Sequence, residues 1–135
     1  NYTLMTVAYF QELICIISRN LLRQHVPDMV QYEAFIPVIE LMHNEYQINR
    51  SVDEYAALSG MSPYYFIRKF KEYTGYSPHT YLIRLRMERA RNLLLTSNFS
   101  VSEISFAVGY DNPLYFSRLF RKYTGSSPSE FRNKN

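Results

Sequence analysis

Arg68 and Arg118 stand at the same position in two copies of a repeated sequence, and both have the chemistry to read a nucleic acid. A guanidinium group donates two hydrogen bonds to the edge of a guanine base, which the ammonium group of lysine cannot match. The same arginine in both copies favours base recognition as its role. The alternative is that each arginine covers the solvated face of a helix.

The first of these arginines lies on a predicted helix with an apolar back and a mixed front. Phe66, Phe70 and Tyr73 follow the spacing i, i+4, i+7 and are expected to be buried. A helix that reads DNA needs such a packed back, and a front where base-reading side chains stand beside phosphate-binding cations. That opposite side, the first reading face, carries Tyr64, Ile67, Arg68 and Lys71. An exposed Ile67 suits the methyl group of thymine.

The second copy repeats this two-sided helix with different residues in front. Its apolar side contains Phe116, Phe120 and Tyr123 at the same spacing. The opposite side, the second reading face, carries Leu114, Ser117, Arg118 and Arg121. Two helices of this kind in one chain predict two contacts with one ligand.

Other chemistries lack the residue patterns that they need. No serine, histidine and acidic residue share a nucleophile-elbow context, and no glycine-rich phosphate loop is present. The single cysteine, Cys15, is interpreted as a small core residue. The three histidines, His25, His43 and His79, form no ligand pair at helical spacing, and His79 is expected at the surface. The sequence therefore predicts no enzyme, no catalytic residue, no cofactor and no metal site.

The repeat itself is the most informative feature of the chain. With a shift of 50, residues 63–81 fall on 113–131, and ten of the nineteen pairs are identical. Upstream the match continues with a shift of 49, and a turn absorbs the one-residue difference. Two copies are too few for a solenoid, so they indicate a duplicated module.

In each copy, capping and turn residues predict a short helix, a turn that contains glycine, and a second helix. In the first copy these residues are Ser51 and Glu54 (a capping box), Gly60 (the turn), Ser62 and Pro63 (a helix start) and Gly75 (a helix end). Their counterparts in the second copy are Ser100, Glu103, Gly109, Asn112, Pro113 and Gly125. The pattern predicts helix-turn-helix units at about 51–75 and 100–125.

A long helix is predicted between the copies, at about 78–96. Its expected inner face consists of Tyr81, Leu82, Leu85, Arg89, Ala90, Leu93 and Leu94. Such a helix is about 27 Å long, and one turn of DNA is about 34 Å. This length is compatible with two reading helices in successive segments of the major groove.

The N-terminal part has a different character. Residues 4–24 predict one apolar helix, which needs a partner surface, and a connector follows at about 25–32. Pro37 suits the first turn of the next helix, predicted over Ile36–Ile48. We therefore divide the chain into an apolar helix with its connector at 1–34 and a further domain at 35–135.

Composition and charge limit the class of protein. The 135 residues are 47% hydrophobic and 20% charged, which are ordinary globular values. Residues 1–50 have an excess of two acidic residues and residues 51–135 an excess of five basic ones. This distribution fits an anionic partner, nucleic acid before membrane, and it fits a solvated helical surface equally well. No signal peptide or long apolar run is present, so we expect a cytoplasmic protein that does not enter a membrane. The chain begins with Asn1 and is expected to be a piece of a longer protein.

Residues 51–132 resemble the C-terminal DNA-binding domain of the AraC/XylS family of bacterial transcription regulators. The family signature is similar to VSEISFAVGYDNPLYFSRLFRKYTGSSPSEFR at 101–132, and its other half to GMSPYYFIRKFKEYTGYSPHTYLIRLRMERARNLL at 60–94. The resemblance implies an all-α fold of seven helices, with two helix-turn-helix subdomains joined by a long linker helix, plus an N-terminal helix. It also implies that two helices enter the major groove on one face of double-stranded DNA.

The resemblance carries base-reading positions onto this chain. They are Tyr64, Ile67 and Arg68 in the first copy, and Pro113, Leu114, Ser117 and Arg118 in the second. Pro113 and Leu114 offer no hydrogen bonds to bases, so we hypothesise that the second unit contributes mainly phosphate contacts. The chain departs from the family at Ser105, where alanine is usual, and the hydroxyl group there needs a partner. Tyr110 and Phe131 replace the more usual phenylalanine and tyrosine.

The resemblance also implies partners. Family members act on promoters, activators usually through RNA polymerase, and many bind a small-molecule effector through an N-terminal domain that these residues lack. Residues 1–26 resemble the last helix of that domain, which would either form a homodimer or pack on the DNA-binding domain. Two other functions remain open: a helical protein–protein adaptor, and nonspecific coating of nucleic acid. Salt dependence separates phosphate binding from apolar docking.

Overall fold

The structure is a computed structural model that describes residues 10–17 and 32–135, and throughout these residues the regular elements are helices. Residues 10–17 are helical. The helices that follow are α1 (Ile36–Asn44), α2 (Val52–Leu58), α3 (Pro63–Thr74), α4 (Pro78–Thr96), α5 (Val101–Ala107), α6 (Pro113–Thr124) and α7 (Pro128–Lys134). The predicted all-α fold is confirmed. The first unit consists of α2 and α3, the second unit of α5 and α6, and the linker helix α4 joins them.

Most of these helices begin and end at the predicted capping residues. Ser51 and Ser100 accept hydrogen bonds from the amides of Glu54 (3.2 Å) and Glu103 (3.1 Å). Gly75 ends α3 in the left-handed conformation at φ 82°, as Gly125 does for α6 at φ 89°, which glycine adopts without a steric penalty.

Two details of the predicted caps are wrong. Only one bond of the capping box at Ser51 forms, and the Glu54 carboxylate accepts from Arg50 (3.5 Å). Ser62 stands at the N-cap of α3, but its side chain makes no capping hydrogen bond.

Two hydrophobic cores lie on different sides of α4. The core of the first unit contains Phe35, Val38, Met42, Tyr55, Ala56, Phe66, Phe70 and Leu85. The core of the second unit contains Ile83, Met87, Ala90, Leu94, Ile104, Val108, Tyr110, Phe116 and Phe120. Since a buried phenylalanine contributes about 1.5–3 kcal/mol, the four phenylalanines of α3 and α6 hold both helices firmly against the linker.

The predicted inner face of α4 omits one buried arginine. Arg89 is only half-buried, whereas Arg86 is 4% exposed. Ile83 and Met87 are also buried, although the single apolar stripe did not include them. Because each unit packs on a different side of α4, its buried positions spread over more of the helix than one stripe.

The predicted end of α1 is also wrong: the helix stops at Asn44 and not at Ile48. Beyond this end, the guanidinium group of Arg86 donates to the carbonyl oxygens of Tyr46 (2.6 Å) and Ile48 (3.4 Å). A side chain from a distant helix thus binds the backbone of the segment that follows α1.

The N-terminal helical segment at 10–17 contacts the first unit. Cys15 is half-buried, and its Sγ lies 3.7 Å from Tyr73 Oη, so it sits at a contact between elements and not in a core. The large apolar side chains of this segment are exposed: Phe10, Leu13, Ile14, Ile16 and Ile17. The rest of the predicted helix, at 4–9 and 18–24, and the predicted connector up to residue 31 lie outside the described residues.

Candidate nucleic-acid interface

The first reading face is exposed along its full length. Tyr64 is 79% exposed and Ile67 39%, and Arg68 and Lys71 are exposed as well. On the opposite side of α3, Phe66 and Phe70 are fully buried. The buried phenylalanines fix the position of α3, and with it the position of the exposed first reading face.

Arg68 is restrained by a neighbouring aromatic ring. Its guanidinium carbon lies 5.4 Å from the centre of the Tyr65 ring, within the range of a cation–π contact. Tyr65 is itself half-buried, three residues earlier on the same helix. The contact limits the freedom of the guanidinium group, which is exposed to solvent.

Among the described residues, some cationic side chains near the reading faces form ion pairs with carboxylates, whereas three cations on the faces do not. Lys69 binds Glu72 at 3.1 Å, and Arg91 lies 3.7 Å from Glu88. In the part of the chain that the structure describes, no carboxylate lies within ion-pair distance of Arg68, Lys71 or Arg118. These three positive charges remain available for an anion.

The second reading face is exposed at Leu114 (71%) and Arg118. The predicted exposure of Ser117 is wrong, because this residue is half-buried, as is Pro113. Each of them stands three residues before a fully buried phenylalanine, Phe120 or Phe116, and residues at that spacing are neighbours on a helix surface. The second face is therefore narrower than the first.

Arg121 is exposed but not unpaired. Its Nη1 lies 3.7 Å from Glu130 Oε1, in the first turn of α7. Both side chains are open to solvent, so the ion pair is weak and gives way to a stronger anion at little cost. The structure thus brings Arg118 and Arg121 to one face. Arg121 is paired with Glu130, whereas Arg118 has no carboxylate partner within the described residues.

The turn of the second unit closes through Ser105. Its hydroxyl group is fully buried and donates to the carbonyl oxygen of Tyr110 at 3.0 Å. The expected need of this hydroxyl for a partner is confirmed. Since the bond spans the turn between α5 and α6, it helps to set the direction in which α6 leaves.

Sequence reasoning missed Arg86, which lies directly beneath that turn. Its guanidinium carbon is 5.1 Å from the centre of the Tyr110 ring, and the group donates to Asn49 Oδ1 at 2.8 Å. The available signal was its spacing, because Arg86 stands three residues after Ile83 and four before Ala90, both buried. A charged residue at such a position is easily assigned to the surface.

Other kinds of site find little support in this part of the molecule. Within 10–17 and 32–135, no group of three or more histidine, cysteine or acidic residues is placed to hold a metal ion. None of the described helices is both long enough and apolar enough to span a bilayer. His79 is exposed at the start of α4, as expected.

Comparison with known families decides how this architecture is classified. The family described as "Helix-turn-helix domain" matches residues 55–134, which include both reading helices. The chain belongs to the AraC/XylS-type helix-turn-helix family. This is a family of DNA-binding transcription regulators and not of enzymes.

Solved structures of AraC/XylS-type domains share the fold. The DNA-binding domain of AdpA, solved in complex with a target DNA, is 32% identical with a TM-score of 0.72, covering 75% of this chain and 91% of that one. The C-terminal domain of AraT from Geobacillus stearothermophilus is 29% identical with a TM-score of 0.69, covering 83% and 88%.

Curated sequences of the same family are longer than this chain. The HTH-type transcriptional regulator YobQ of Bacillus subtilis is 30% identical over 95 residues, which are 70% of this chain and 39% of YobQ. The HTH-type transcriptional activator RhaS of Salmonella arizonae is 46% identical over 43 residues, 32% of this chain and 16% of RhaS. The match thus spans well under half the length of these relatives.

Proposed function

We propose that this chain is the DNA-binding region of a bacterial transcription regulator, and that α3 and α6 enter successive segments of the major groove. The observation that carries the proposal is the duplicated arrangement of Arg68 and Arg118, each without a carboxylate partner among the residues that the structure describes and each on a helix anchored by two buried phenylalanines. The AdpA domain, which shares the fold, is described in complex with a target DNA, and this supports the proposal.

On the first reading face we assign separate tasks to neighbouring residues. Arg68 donates two hydrogen bonds to a guanine, and Ile67 contacts the methyl group of a thymine. Lys71, one turn further along α3, neutralises a phosphate. Tyr64 is 79% exposed, and its hydroxyl group contacts a phosphate or a base edge.

On the second reading face we assign fewer base contacts. Leu114 reaches a thymine methyl group, while Arg118 and Arg121 bind phosphates, Arg121 by exchanging Glu130 for the DNA backbone. Pro113 and Ser117 are half-buried and line the edge of this face. The first unit therefore carries more of the sequence preference than the second.

The experiment that tests this function is the selection of bound duplexes from a random DNA pool, followed by sequencing. We expect a two-part motif whose centres lie about 10 base pairs apart. Binding that is sensitive to salt but enriches no sequence would instead indicate nonspecific coating. A protein that binds no DNA at any salt concentration would return the adaptor as the leading function.

Further partners belong to the same proposal. We assign RNA polymerase as a partner because RhaS, a relative, is named an activator. We also assign a homodimer formed through the N-terminal helix, because five large apolar side chains are exposed within 10–17. Light scattering of the chain and of Ile14→Glu tests the dimer, since a charge on that face should yield monomers. A small-molecule effector would act only through a sensor region outside these residues. We assign the regulator to the cytoplasm.

A further inference from the structure

We infer that Arg86 is a positioning residue that locks the first unit to the second, and thereby fixes the separation of the two DNA half-sites that the protein accepts. A half-site is the stretch of DNA that one unit contacts. The inference rests on the proposed function for its DNA readout, whereas its structural content concerns the protein alone.

On the side of the first unit, Arg86 binds the segment between α1 and α2. Its Nε donates to the carbonyl oxygen of Tyr46 at 2.6 Å, and its Nη2 donates to Asn49 Oδ1 at 2.8 Å and to the Ile48 carbonyl oxygen at 3.4 Å. The planar guanidinium group fixes the direction of these bonds. The segment that leads into α2 is therefore held at a defined place on α4.

On the side of the second unit, Arg86 lies against the turn between α5 and α6. It stacks beside the Tyr110 ring, and a Cβ atom built on Gly109 would lie 2.9 Å from its guanidinium carbon. The same Cβ would lie 2.8 Å from the carbonyl oxygen of Gln47. The backbone of the first unit's leading segment, the guanidinium group and the turn of the second unit thus stand in direct contact.

The burial of Arg86 indicates a role in geometry. The side chain is 4% exposed, and no carboxylate within the described ranges lies at ion-pair distance from it. A buried cation is a costly way to gain stability, and its hydrogen bonds are what give it direction. Next to it lies a cleft of about 400 Å³, lined by polar residues such as His79 and Asn112 and by apolar ones such as Leu82. Close packing therefore does not join the units there.

A second arginine spans the units from the outside. The guanidinium carbon of Arg84 lies 4.5 Å from the centre of the Tyr76 ring, which follows α3, and 5.4 Å from that of Tyr123 on α6. Arg84 is exposed, so its contacts are weaker than those of Arg86. We expect its removal to have the smaller effect on the relation between the units.

The link to DNA spacing follows from effective concentration. Once one unit is bound, the other searches for its half-site within the reach that the connection allows. A stiff connection favours one spacing strongly and penalises the others, whereas a loose connection treats neighbouring spacings alike. The residue that stiffens the connection therefore determines the spacing preference without contacting DNA.

Binding to a panel of duplexes tests this role, with the two half-sites of the selected motif moved closer or apart by one and two base pairs. For the unchanged chain we expect a preference for one spacing of about tenfold, which Arg86→Gln reduces to about twofold. Arg91→Gln, an exposed arginine on the same helix, is the control and should keep the full preference. A full preference in Arg86→Gln would overturn the inference.

A distance measurement without DNA tests the same role if Arg86→Gln does not fold. Spin labels are placed at Asp53→Cys on α2 and Ser102→Cys on α5, both exposed, in a Cys15→Ser background. Asn49→Ala, which removes one exposed acceptor of Arg86, should broaden the distribution of distances between the labels. An unchanged distribution would contradict the inference, whereas failure of the unchanged chain to select a two-part motif would contradict the proposed function alone.

Discussion

Gly109 and Arg86 are packed so closely that a methyl group on Gly109 would stand 2.9 Å from the guanidinium carbon of Arg86. Gly60, its counterpart in the first unit, also has a positive φ, but a Cβ there would meet no atom within 4 Å. The two equivalent turns therefore differ in what surrounds them, although their sequence roles are the same.

This difference predicts unequal effects of the same substitution. Gly60→Ala should lower the free energy of unfolding by about 1 kcal/mol, through backbone strain alone. Gly109→Ala should lower it by a further 1–3 kcal/mol or so, because Arg86 or the segment at Gln47 must move. Urea unfolding followed by circular dichroism measures both, and equal losses would mean that Arg86 yields without resistance.

The unequal reading faces predict unequal effects of their arginines. Arg68→Ala should weaken binding to the selected motif by about 1–3 kcal/mol and relax the preference at one or two base pairs. Arg118→Ala should weaken binding to all sequences by a similar factor, because its contacts are assigned to phosphates. Repeating the DNA selection with each variant distinguishes the two results, and an equal loss of specificity would contradict the division of roles.

The pairing of cations along α3 predicts a difference between two lysines. Lys71→Ala should reduce the slope of log K against log salt concentration by about 1, the value expected for one lost phosphate contact. Lys69→Ala is the matched control, because Lys69 already binds Glu72 at 3.1 Å. Titrations at several salt concentrations measure both slopes, and the assignment of Lys71 fails if the two variants change the slope equally.

The partial burial of the His43 imidazole predicts that stability depends on pH. Burial, and then the nearby charge of Arg89, lower the pKa of His43 below its usual 6.5, and its Nε2 lies 2.8 Å from Tyr81 Oη. Burial also raises the pKa of Tyr81 to about 12, so the tyrosine stays neutral at these pH values. The unfolded chain therefore binds a proton at His43 more readily than the folded chain does.

Because the unfolded state takes up more protons, the free energy of unfolding should fall as the pH is lowered from 7 to 5. The decline should be smaller in His43→Gln, which cannot take up this proton. His79→Gln, which changes an exposed histidine, should keep the original decline. Urea midpoints at pH 5, 6 and 7 give the comparison, and parallel curves for all three proteins would refute the assignment to His43.

The parts of the fold that were predictable depend on local patterns. The buried side of α3 could be predicted from the spacing of Phe66 and Phe70, because an amphipathic helix packs on a core with its apolar side. The helix starts at Ser51 and Ser100 follow from capping chemistry within one turn. The repeat then extended each local inference to the second copy.

The parts that were not predictable depend on contacts between distant residues. Arg86 and Tyr46 are 40 positions apart, and only the folded chain shows that the first is buried and donates to the carbonyl oxygen of the second. The half-burial of Ser117 likewise depends on how closely the second core surrounds α6. The base contacts at both reading faces, the division of the chain at residue 34 and the role of the N-terminal helix stay predictions.

The separation of front and back on α3 and α6 has a consequence for how such a regulator diversifies. Phe66, Phe70, Phe116 and Phe120 are fully buried, while Tyr64 and Leu114 are more than two-thirds exposed. Changes at exposed positions usually alter stability by no more than about 0.5 kcal/mol. After a gene duplication, the outward residues are therefore free to drift towards new promoters, and each drifting copy still folds while its new targets are under selection.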